Sequence, residues 1–275
     1  MQLRQLRENW EKLGERDAMW AILSRPDKKG GKWDEESFFQ TGQKDVNGLL
    51  SEIAARGFAL DRGTALDFGC GIGRLTQALC AHFQKCYGID ISSTMLSQAV
   101  HYNRFGSACT YVQNDASDLR CFDSDSFDFI YSHLVLQHTP PEASKQYIAE
   151  FVRVLKPGGL LIFQAPSERR QMESNAAAPA KVSGPVTPPS RPGVLDRLKD
   201  FLARLADSVK PKHPDPTPRE PTERLEQLIE MHGVPRTEVL QIIQAAGGNM
   251  IEVQAYNSAG PEWASFRYWV TKPRV

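Results

Sequence analysis

Cysteine is scarce in this sequence, and the pattern of the few that occur excludes two kinds of site. The 275-residue chain has five: Cys70, Cys80, Cys86, Cys109 and Cys121. An odd number without a C-x-x-C pair indicates neither a disulfide framework nor a zinc site. Because unpaired cysteines are typical of reducing compartments, we expect a cytoplasmic protein.

Net charge is absent as well. Lysine plus arginine number 33, and aspartate plus glutamate also number 33. Nucleic acids and anionic membranes attract chains with a basic excess. The balance therefore disfavours a nucleic-acid partner, although a local basic patch stays open.

Long apolar runs are the third absence. The sequence has no run of about 18 apolar residues, so we expect no transmembrane segment. The first residues are charged at short intervals and lack the apolar core of a signal peptide.

What the sequence does have is a glycine-rich turn after a short apolar strand that ends at Phe68. Gly69, Gly71 and Gly73 stand at alternate positions, and a helical pattern follows. Such a turn lets the backbone approach a ligand at the carboxyl end of a strand. A dinucleotide fingerprint, G-x-G-x-x-G, would require glycine where this chain has Arg74. The spacing therefore favours a nucleoside ligand without a pyrophosphate.

Further strands follow at the intervals of an α/β protein. Short apolar runs cover residues 85–89, 110–113, 127–131 and 160–163. Before the last run, Ile148, Phe151, Val152 and Leu155 have helical spacing, and Lys156-Pro157-Gly158-Gly159 ends that pattern. Alternating strands and helices predict a parallel sheet with right-handed crossovers.

In this order the motifs resemble those of class I S-adenosylmethionine-dependent methyltransferases, closest to the small-molecule branch often called type 11. The motifs are Asp67 to Gly73, Gly88-Ile89-Asp90, Asn114-Asp115, Phe127-Asp128 and Leu155 to Gly159. The resemblance implies an α/β, Rossmann-like, seven-stranded and mostly parallel sheet with helices on both faces and a final antiparallel strand. It also implies S-adenosyl-L-methionine as the cofactor.

The resemblance carries a set of cofactor-binding residues onto this chain. They are Asp67, Gly69, Gly71, Gly73, Arg74, Asp90, Ile91, Asn114, Asp115, Ala116 and His133. Asp67 would approach the amino group of the methionine moiety, Asp90 the ribose hydroxyls and Asp115 the adenine amine. Other readings stay open: Asp90 as a helix cap, Asp115 as a turn residue and Arg74 as a solvent-facing side chain.

Three histidines are candidates for acid–base chemistry on the substrate side: His138, His133 and, less directly, His232. Histidine exchanges a proton near neutral pH, which suits activation of a hydroxyl or amine. Each histidine could equally be fixed by local hydrogen bonds. Gln137 stands where some relatives that use a metal carry a carboxylate, so we expect no metal.

The distribution of proline divides the chain. Eleven of its 18 prolines lie between residues 166 and 221. We expect an N-terminal helical cover at 1–60 and a cofactor-binding core at 61–167. A proline-rich insertion with one amphipathic helix, expected to act as a lid or surface cover, follows at 168–222. A helix and a strand pair at 223–275 would complete the core.

The predicted function is transfer of a methyl group from S-adenosylmethionine to an oxygen, nitrogen or carbon nucleophile of a small molecule. One alternative is a noncatalytic, cofactor-binding scaffold that acts through a partner. A nicotinamide-dependent oxidoreductase is the other, and Arg74 in place of the third glycine disfavours it. The sequence leaves the acceptor and the oligomeric state open.

Overall fold

The computed structural model describes residues 2–170 and 224–274. The insertion predicted at 168–222 lies outside the described residues except for its first three positions. Its amphipathic helix and its expected role as a lid therefore stay predictions.

Two helices precede the sheet, as the N-terminal pattern predicts. Helix α1 covers Leu3–Ile22 and α2 covers Glu35–Ala55, with a short 3-10 turn between them. The Asp34 side chain caps α2 by accepting a hydrogen bond from the Ser37 amide at 2.9 Å. Helix α1 is kinked at Asp17, whose carboxylate accepts hydrogen bonds from two backbone amides of the loop before α2.

Seven strands form one sheet. They are β1 (Thr64–Phe68), β2 (Lys85–Asp90), β3 (Cys109–Gln113), β4 (Phe127–Ser132), β5 (Leu155–Arg169), β6 (Asn249–Ala255) and β7 (Trp263–Thr271). Their order is β3-β2-β1-β4-β5-β7-β6, and β7 runs antiparallel to both of its neighbours. The predicted sheet is confirmed.

Within the described residues, four further helices and the two N-terminal helices surround this sheet. They are α3 (Arg74–Cys80), α4 (Ser93–His101), α5 (Pro141–Val154) and α6 (Arg236–Ala245). On one face α5 and α6 bury Phe151 and Val239 in a large apolar core, and on the other α2 and α3 bury Val46 and Leu79. A third cluster joins α1, the start of α2 and α4 around Leu13.

Strand β5 begins earlier than its apolar run indicates. Leu155 was expected on the preceding helix, yet it opens β5 and pairs with Phe127, while Leu160 pairs with Phe129. The residues between them bulge out of register. Gly158 adopts a φ of +81° there, and its amide donates to the Lys272 carbonyl at 2.7 Å. This contact with the C-terminal strand region keeps the segment on the sheet.

No helix in the two described segments is long and apolar enough to cross a membrane.

Candidate active site

A cavity of about 490 Å³ opens where β1, β2 and β4 end. Its floor includes Asp67, Asp90 and the glycine turn, all at the carboxyl ends of strands. Leu3, Leu6, Trp10 and Ile22 of α1 line it from the other side. The cavity thus has a polar floor and an apolar roof, and its volume lies in the range of small-molecule sites, roughly 300–1,000 Å³.

Two glycines of the turn are required by close contacts as well as by backbone conformation. Gly69 has a φ of +75°, and a Cβ there would stand 2.3 Å from the Val135 side chain. Gly71 has a φ of +53°, and a Cβ there would stand 2.6 Å from Ile22. Larger residues would strain the turn and push its walls apart. The turn therefore presents bare backbone to the cavity.

Asp67 is the most buried acid of the floor, with 1% of its surface exposed. It accepts a hydrogen bond from the Thr76 hydroxyl at 2.7 Å. Burial raises the pKa of Asp67 to about 6, against the hydrogen bond from Thr76 and the charge of Arg74, which lower it. A cationic ligand group would favour the ionised carboxylate.

Asp90 joins the glycine turn to the start of α4. One carboxylate oxygen accepts from the Gly71 amide at 2.8 Å, and the other accepts from the Ser92 amide at 2.9 Å. Burial raises the pKa of Asp90, although these backbone hydrogen bonds oppose the shift. Each oxygen retains a lone pair that can accept from a hydroxyl. The geometry is therefore compatible with both readings of Asp90, as a ligand acceptor and as a cap.

The other predicted cofactor residues divide into two groups. Ile91 and Asn114 line the cavity. Gly73, Asp115 and Ala116 are not part of its lining. Gly73 instead precedes α3 in the left-handed conformation, Asp115 forms an ion pair with Arg7 of α1 at 2.9 Å, and the Ala116 carbonyl accepts from the Tyr147 hydroxyl.

Arg74 lines the cavity but does not face solvent. Its guanidinium is 4% exposed, donates to Asp45 of α2 at 2.6 Å and contacts the Thr41 hydroxyl at 3.2 Å. Helix α2 can come this close because Gly42 has no side chain, and a Cβ there would stand 2.3 Å from the Arg74 carbonyl oxygen. Arg74 therefore fastens the end of the glycine turn to α2.

His133 follows β4 and lines the cavity. Both of its ring nitrogens are buried, and neither has a hydrogen-bond partner within the described residues. The ring stacks on Tyr131 with centroids 5.9 Å apart and meets Tyr256 at 5.8 Å. Burial, followed by the charge of Arg74, lowers the pKa of His133 to about 4. Near neutral pH the ring is uncharged, so one nitrogen can accept a hydrogen bond, while the lowered pKa makes the ring a weaker base than a free histidine.

His138 also lines the cavity, but both of its nitrogens are engaged. Nδ1 lies 2.8 Å from the Glu230 carbonyl oxygen, and Nε2 lies 2.9 Å from the Gln137 amide nitrogen. A carbonyl only accepts, so Nδ1 carries the hydrogen and Nε2 accepts from Gln137. Burial lowers the pKa of His138 to about 4. The Trp10 ring meets the imidazole edge-on at 5.7 Å.

His232 lies next to the cavity without lining it. Its backbone amide donates to the Gln137 carbonyl at 2.7 Å, and its ring lies 3.5 Å from the Glu230 carboxylate. Burial lowers the pKa of His232. The neighbouring Met231 does line the cavity, so this segment contributes an apolar wall.

The sequence predicts an N-terminal helical cover at 1–60, but it does not show that Leu3, Leu6 and Trp10 face the cavity, and it assigns no role to Ser258. The first three are spaced as one face of a helix, a signal that marks α1 as amphipathic but not its partner. Ser258 lies in a 3-10 turn after β6, where no pattern distinguishes it. Among the described residues, no group of three or more histidine, cysteine, aspartate or glutamate side chains is placed to hold a metal.

Residues 66–163 match the family described as "Methyltransferase domain". Two curated relatives, both named ubiquinone biosynthesis O-methyltransferase, come from Hahella chejuensis and Nitrosococcus oceani. The first is 33% identical over 132 residues, which cover 48% of this chain and 54% of the relative. The second is 35% identical, with coverage of 48% and 55%. The chain thus spans about half the length of these relatives.

Solved structures resemble the chain over nearly its whole length. A magnesium protoporphyrin IX methyltransferase from Synechocystis, solved with bound SAM, has a TM-score of 0.56 at 15% identity, covering 98% of this chain and 96% of that one. A S-adenosylmethionine-dependent methyltransferase from Clostridium acetobutylicum has a TM-score of 0.54 at 16% identity, with coverage of 90% and 96%. At these identities the likeness shows the fold. The class I fold and the resemblance to this family are confirmed.

Proposed function

We propose that this chain, whose residues 66–163 form a methyltransferase domain, transfers a methyl group from S-adenosylmethionine to an oxygen of a small, largely apolar molecule. The observation that carries the proposal is the cavity of about 490 Å³ with an acidic, glycine-lined floor and an apolar roof. The floor suits a nucleoside with a cationic end, and the roof suits an acceptor with an apolar body.

The residues present fit the cofactor. Gly69 and Gly71 leave backbone free where a Cβ would fill the site. Asp67 would hold the cofactor's ammonium group, because a cation favours ionisation of a carboxyl whose pKa is raised. Asp90 would accept from the ribose hydroxyls through its remaining lone pairs. Ile91 and Asn114 lie beside it in the lining.

The bound cofactor would supply a methyl group on a positively charged sulfur, which makes the methyl electrophilic without help from the protein. The protein's part is alignment and exclusion of water. Leu6 and Trp10 close the cavity over the floor. His133 would accept the proton of a hydroxyl acceptor, because its buried nitrogens line the cavity and have no other partner in the described structure.

The choice of oxygen rests on the relatives named O-methyltransferases, at 33% and 35% identity over the core. His138 stays a second candidate for the base, although its nitrogens already have partners. His232 does not line the cavity, so it would affect the acceptor only indirectly, through its neighbour Met231 in the cavity wall. The cytoplasmic setting also stays a prediction.

Calorimetric titration with S-adenosylmethionine, S-adenosylhomocysteine and NAD tests the cofactor. We expect saturable binding of the first two and none of NAD. Saturable binding of NAD without a response to S-adenosylmethionine would overturn the proposal.

Turnover distinguishes an enzyme from a scaffold. Labelled S-adenosylmethionine incubated with the protein and a metabolite extract should yield a labelled small molecule whose methyl group is bonded to oxygen. Cofactor binding without transfer to any extract component would favour the noncatalytic alternative.

A further inference from the structure

The lining of the cavity includes two polar side chains that the fold leaves without a hydrogen-bond partner in the described residues. The ring nitrogens of His133 and the hydroxyl of Ser258 are buried, and none of them has a hydrogen-bond partner in the described segments. Both residues line the same cavity. Native proteins pair nearly all buried polar groups, so an exception inside a cavity points to a ligand that completes the pairing.

His133 and Ser258 come to the cavity from different parts of the sheet. His133 follows β4, and Ser258 lies in the 3-10 turn Asn257–Ala259 after β6. Tyr256 connects them, because its ring meets His133 at 5.8 Å and its carbonyl accepts from the Ser258 amide at 2.9 Å. The Arg267 guanidinium lies 4.7 Å from the Tyr256 ring centroid. Tyr256 therefore contacts both His133 and Ser258 and links their positions.

The charges around the cavity argue against an anionic acceptor. Among the described residues, the cationic side chains that line it are Arg25 and Arg74. Arg74 is paired with Asp45 at 2.6 Å, and Arg25 with Asp27 at 3.3 Å. Both guanidinium groups thus already have a carboxylate partner, although the buried Arg74 Nε has none in the described segments, and neither group supplies an unneutralised charge for a carboxylate acceptor. A hydroxyl could donate to the imidazole and accept from the serine.

Resting on the proposed function, we propose that Ser258 and His133 together hold the methyl acceptor, and that the acceptor presents an uncharged hydroxyl on an apolar body. Ser258 donates to the acceptor oxygen and orients one of its lone pairs. His133 accepts the hydroxyl proton as the oxygen–methyl bond forms and the bond from sulfur to methyl breaks. The apolar body would lie against apolar residues of the same cavity, such as Leu134, Val135 and Met231.

The test uses three probes of simple chemistry on the full chain saturated with S-adenosylhomocysteine. 2-Naphthol and 2-naphthoate share a body and differ in the group presented, and 1-octanol offers a hydroxyl on a flexible chain. We expect both alcohols to bind, and 2-naphthol to bind at least about tenfold more tightly than 2-naphthoate. Ser258→Ala should weaken 2-naphthol binding about five- to tenfold while the Kd of S-adenosylhomocysteine stays within about twofold. Ser51→Ala, an exposed serine on α2, is the matched control.

Kinetics separate the two residues. With labelled cofactor and 2-naphthol, Ser258→Ala should raise KM more than it lowers kcat. His133→Ala should lower kcat, and its rate should rise with pH toward the pKa of the naphthol, because the acceptor must then ionise unaided. His82→Ala, on the exposed loop after α3, is the control for histidine removal.

Three results would overturn the inference: no binding of either alcohol, binding of 2-naphthoate as tight as that of 2-naphthol, or an unchanged Kd in Ser258→Ala. Because S-adenosylhomocysteine binding is measured separately, its failure would refute the proposed function, whereas intact cofactor binding with any of these results refutes only the acceptor assignment.

Discussion

The carboxylates of the cavity floor differ in their surroundings, and these predict how the charge of each responds to pH. Asp67 is buried with a pKa raised to about 6. The neutral form therefore predominates below that pH, and the ionised form above it. Since only the ionised form attracts an ammonium group, cofactor binding should be linked to the release of a proton from Asp67.

We expect the affinity for S-adenosylmethionine to be constant above about pH 6.5 and to fall below about pH 6, by at most tenfold per pH unit. Calorimetry between about pH 5 and 7.5, in buffers of different ionisation enthalpy, measures both the Kd and the proton release. Asp67→Asn should bind weakly at every pH and release no proton. A wild-type Kd that does not vary over this range would contradict the assignment.

Asp90 has a structural role in the fold and a proposed role in binding, which one substitution cannot separate. Asp90→Ala should lower both cofactor affinity and thermal stability, because it also removes the acceptor of the Gly71 and Ser92 amides. Asp90→Asn keeps an oxygen for one amide and removes the charge. We expect it to weaken S-adenosylmethionine about tenfold or more, since hydrogen bonds to a charged group contribute about 1.5–3 kcal/mol.

Titration of both variants, with thermal unfolding in the absence of cofactor, checks this expectation. Asp61→Asn, at an exposed position before β1, serves as the control. An Asp90→Asn variant with normal affinity would identify Asp90 as a cap alone.

The two histidines after β4 should respond differently to truncation. His133→Ala should lower turnover of a hydroxyl acceptor roughly 10²-fold while little changes in stability, because its nitrogens have no partner to lose in the described structure. His138→Ala should lower the melting temperature, because the Glu230 carbonyl and the Gln137 amide lose their partner. Turnover at saturating cofactor and thermal unfolding, measured on both variants, decide between them. A larger turnover loss in His138→Ala would make His138 the base.

At the scale of the element, helix α1 forms the roof because one acid fastens it to α4. Glu11 accepts from the Ser92 hydroxyl, the Ser93 amide and hydroxyl, and the Thr94 amide, at 2.8–2.9 Å. Burial opposes ionisation of this carboxyl, but the hydrogen bonds from Thr94, Ser92 and Ser93 lower its pKa to about 2. The carboxylate thus accepts hydrogen bonds from backbone amides at the start of α4 that have no partner within the helix, as an N-cap side chain would.

The lowered pKa of Glu11 determines the pH range over which this residue stabilises the fold. Glu11 has a lower pKa in the fold than the model-compound value of 4.5, so its contribution to stability is fully present above about pH 4.5. The contribution is lost as the pH falls toward 2. Glu11→Gln should remove this acid dependence and loosen α1 at neutral pH.

Hydrogen exchange in α1 is the direct measurement of that loosening. We expect faster exchange across α1 and weaker cofactor binding in Glu11→Gln, because Leu6 and Trp10 would no longer be held over the floor. Glu8→Gln, whose acid forms an exposed pair with Arg4 one turn away, should leave both unchanged. Equal exchange in the two variants would refute the role of Glu11.

At the scale of the whole molecule, the two ends of the chain combine to close one cavity. The Asn9 amide donates to the Leu228 carbonyl at 3.1 Å, and Trp10 meets His138 at 5.7 Å. The segment that contributes Met231 is held in turn on the loop after β4, by the contact between His232 and Gln137. The proposed acceptor side is therefore built from segments far apart in the sequence, whereas the proposed cofactor side is built from the ends of β1 and β2 and the residues that follow them.

The sheet and the floor of the site follow from the sequence alone. Gly69, Gly71, Asp67 and Asp90 follow from the pattern because each stands at a strand end, and parallel strands bring their carboxyl ends to one edge. The helix and strand types follow from local periodicity, which depends only on neighbouring residues.

The tertiary structure added which residues of the predicted N-terminal cover face the cavity, which later segments complete its lining, and which partners several predicted residues have. Arg74 is buried because α2 supplies Asp45, and Asp115 turns to Arg7 of α1. His138 acquires a carbonyl partner from a segment 92 residues away, whereas His133 acquires none in the described structure. Whether a buried polar group finds a hydrogen-bond partner depends on chain segments that are distant in the sequence. Local sequence patterns do not reveal which segments these are.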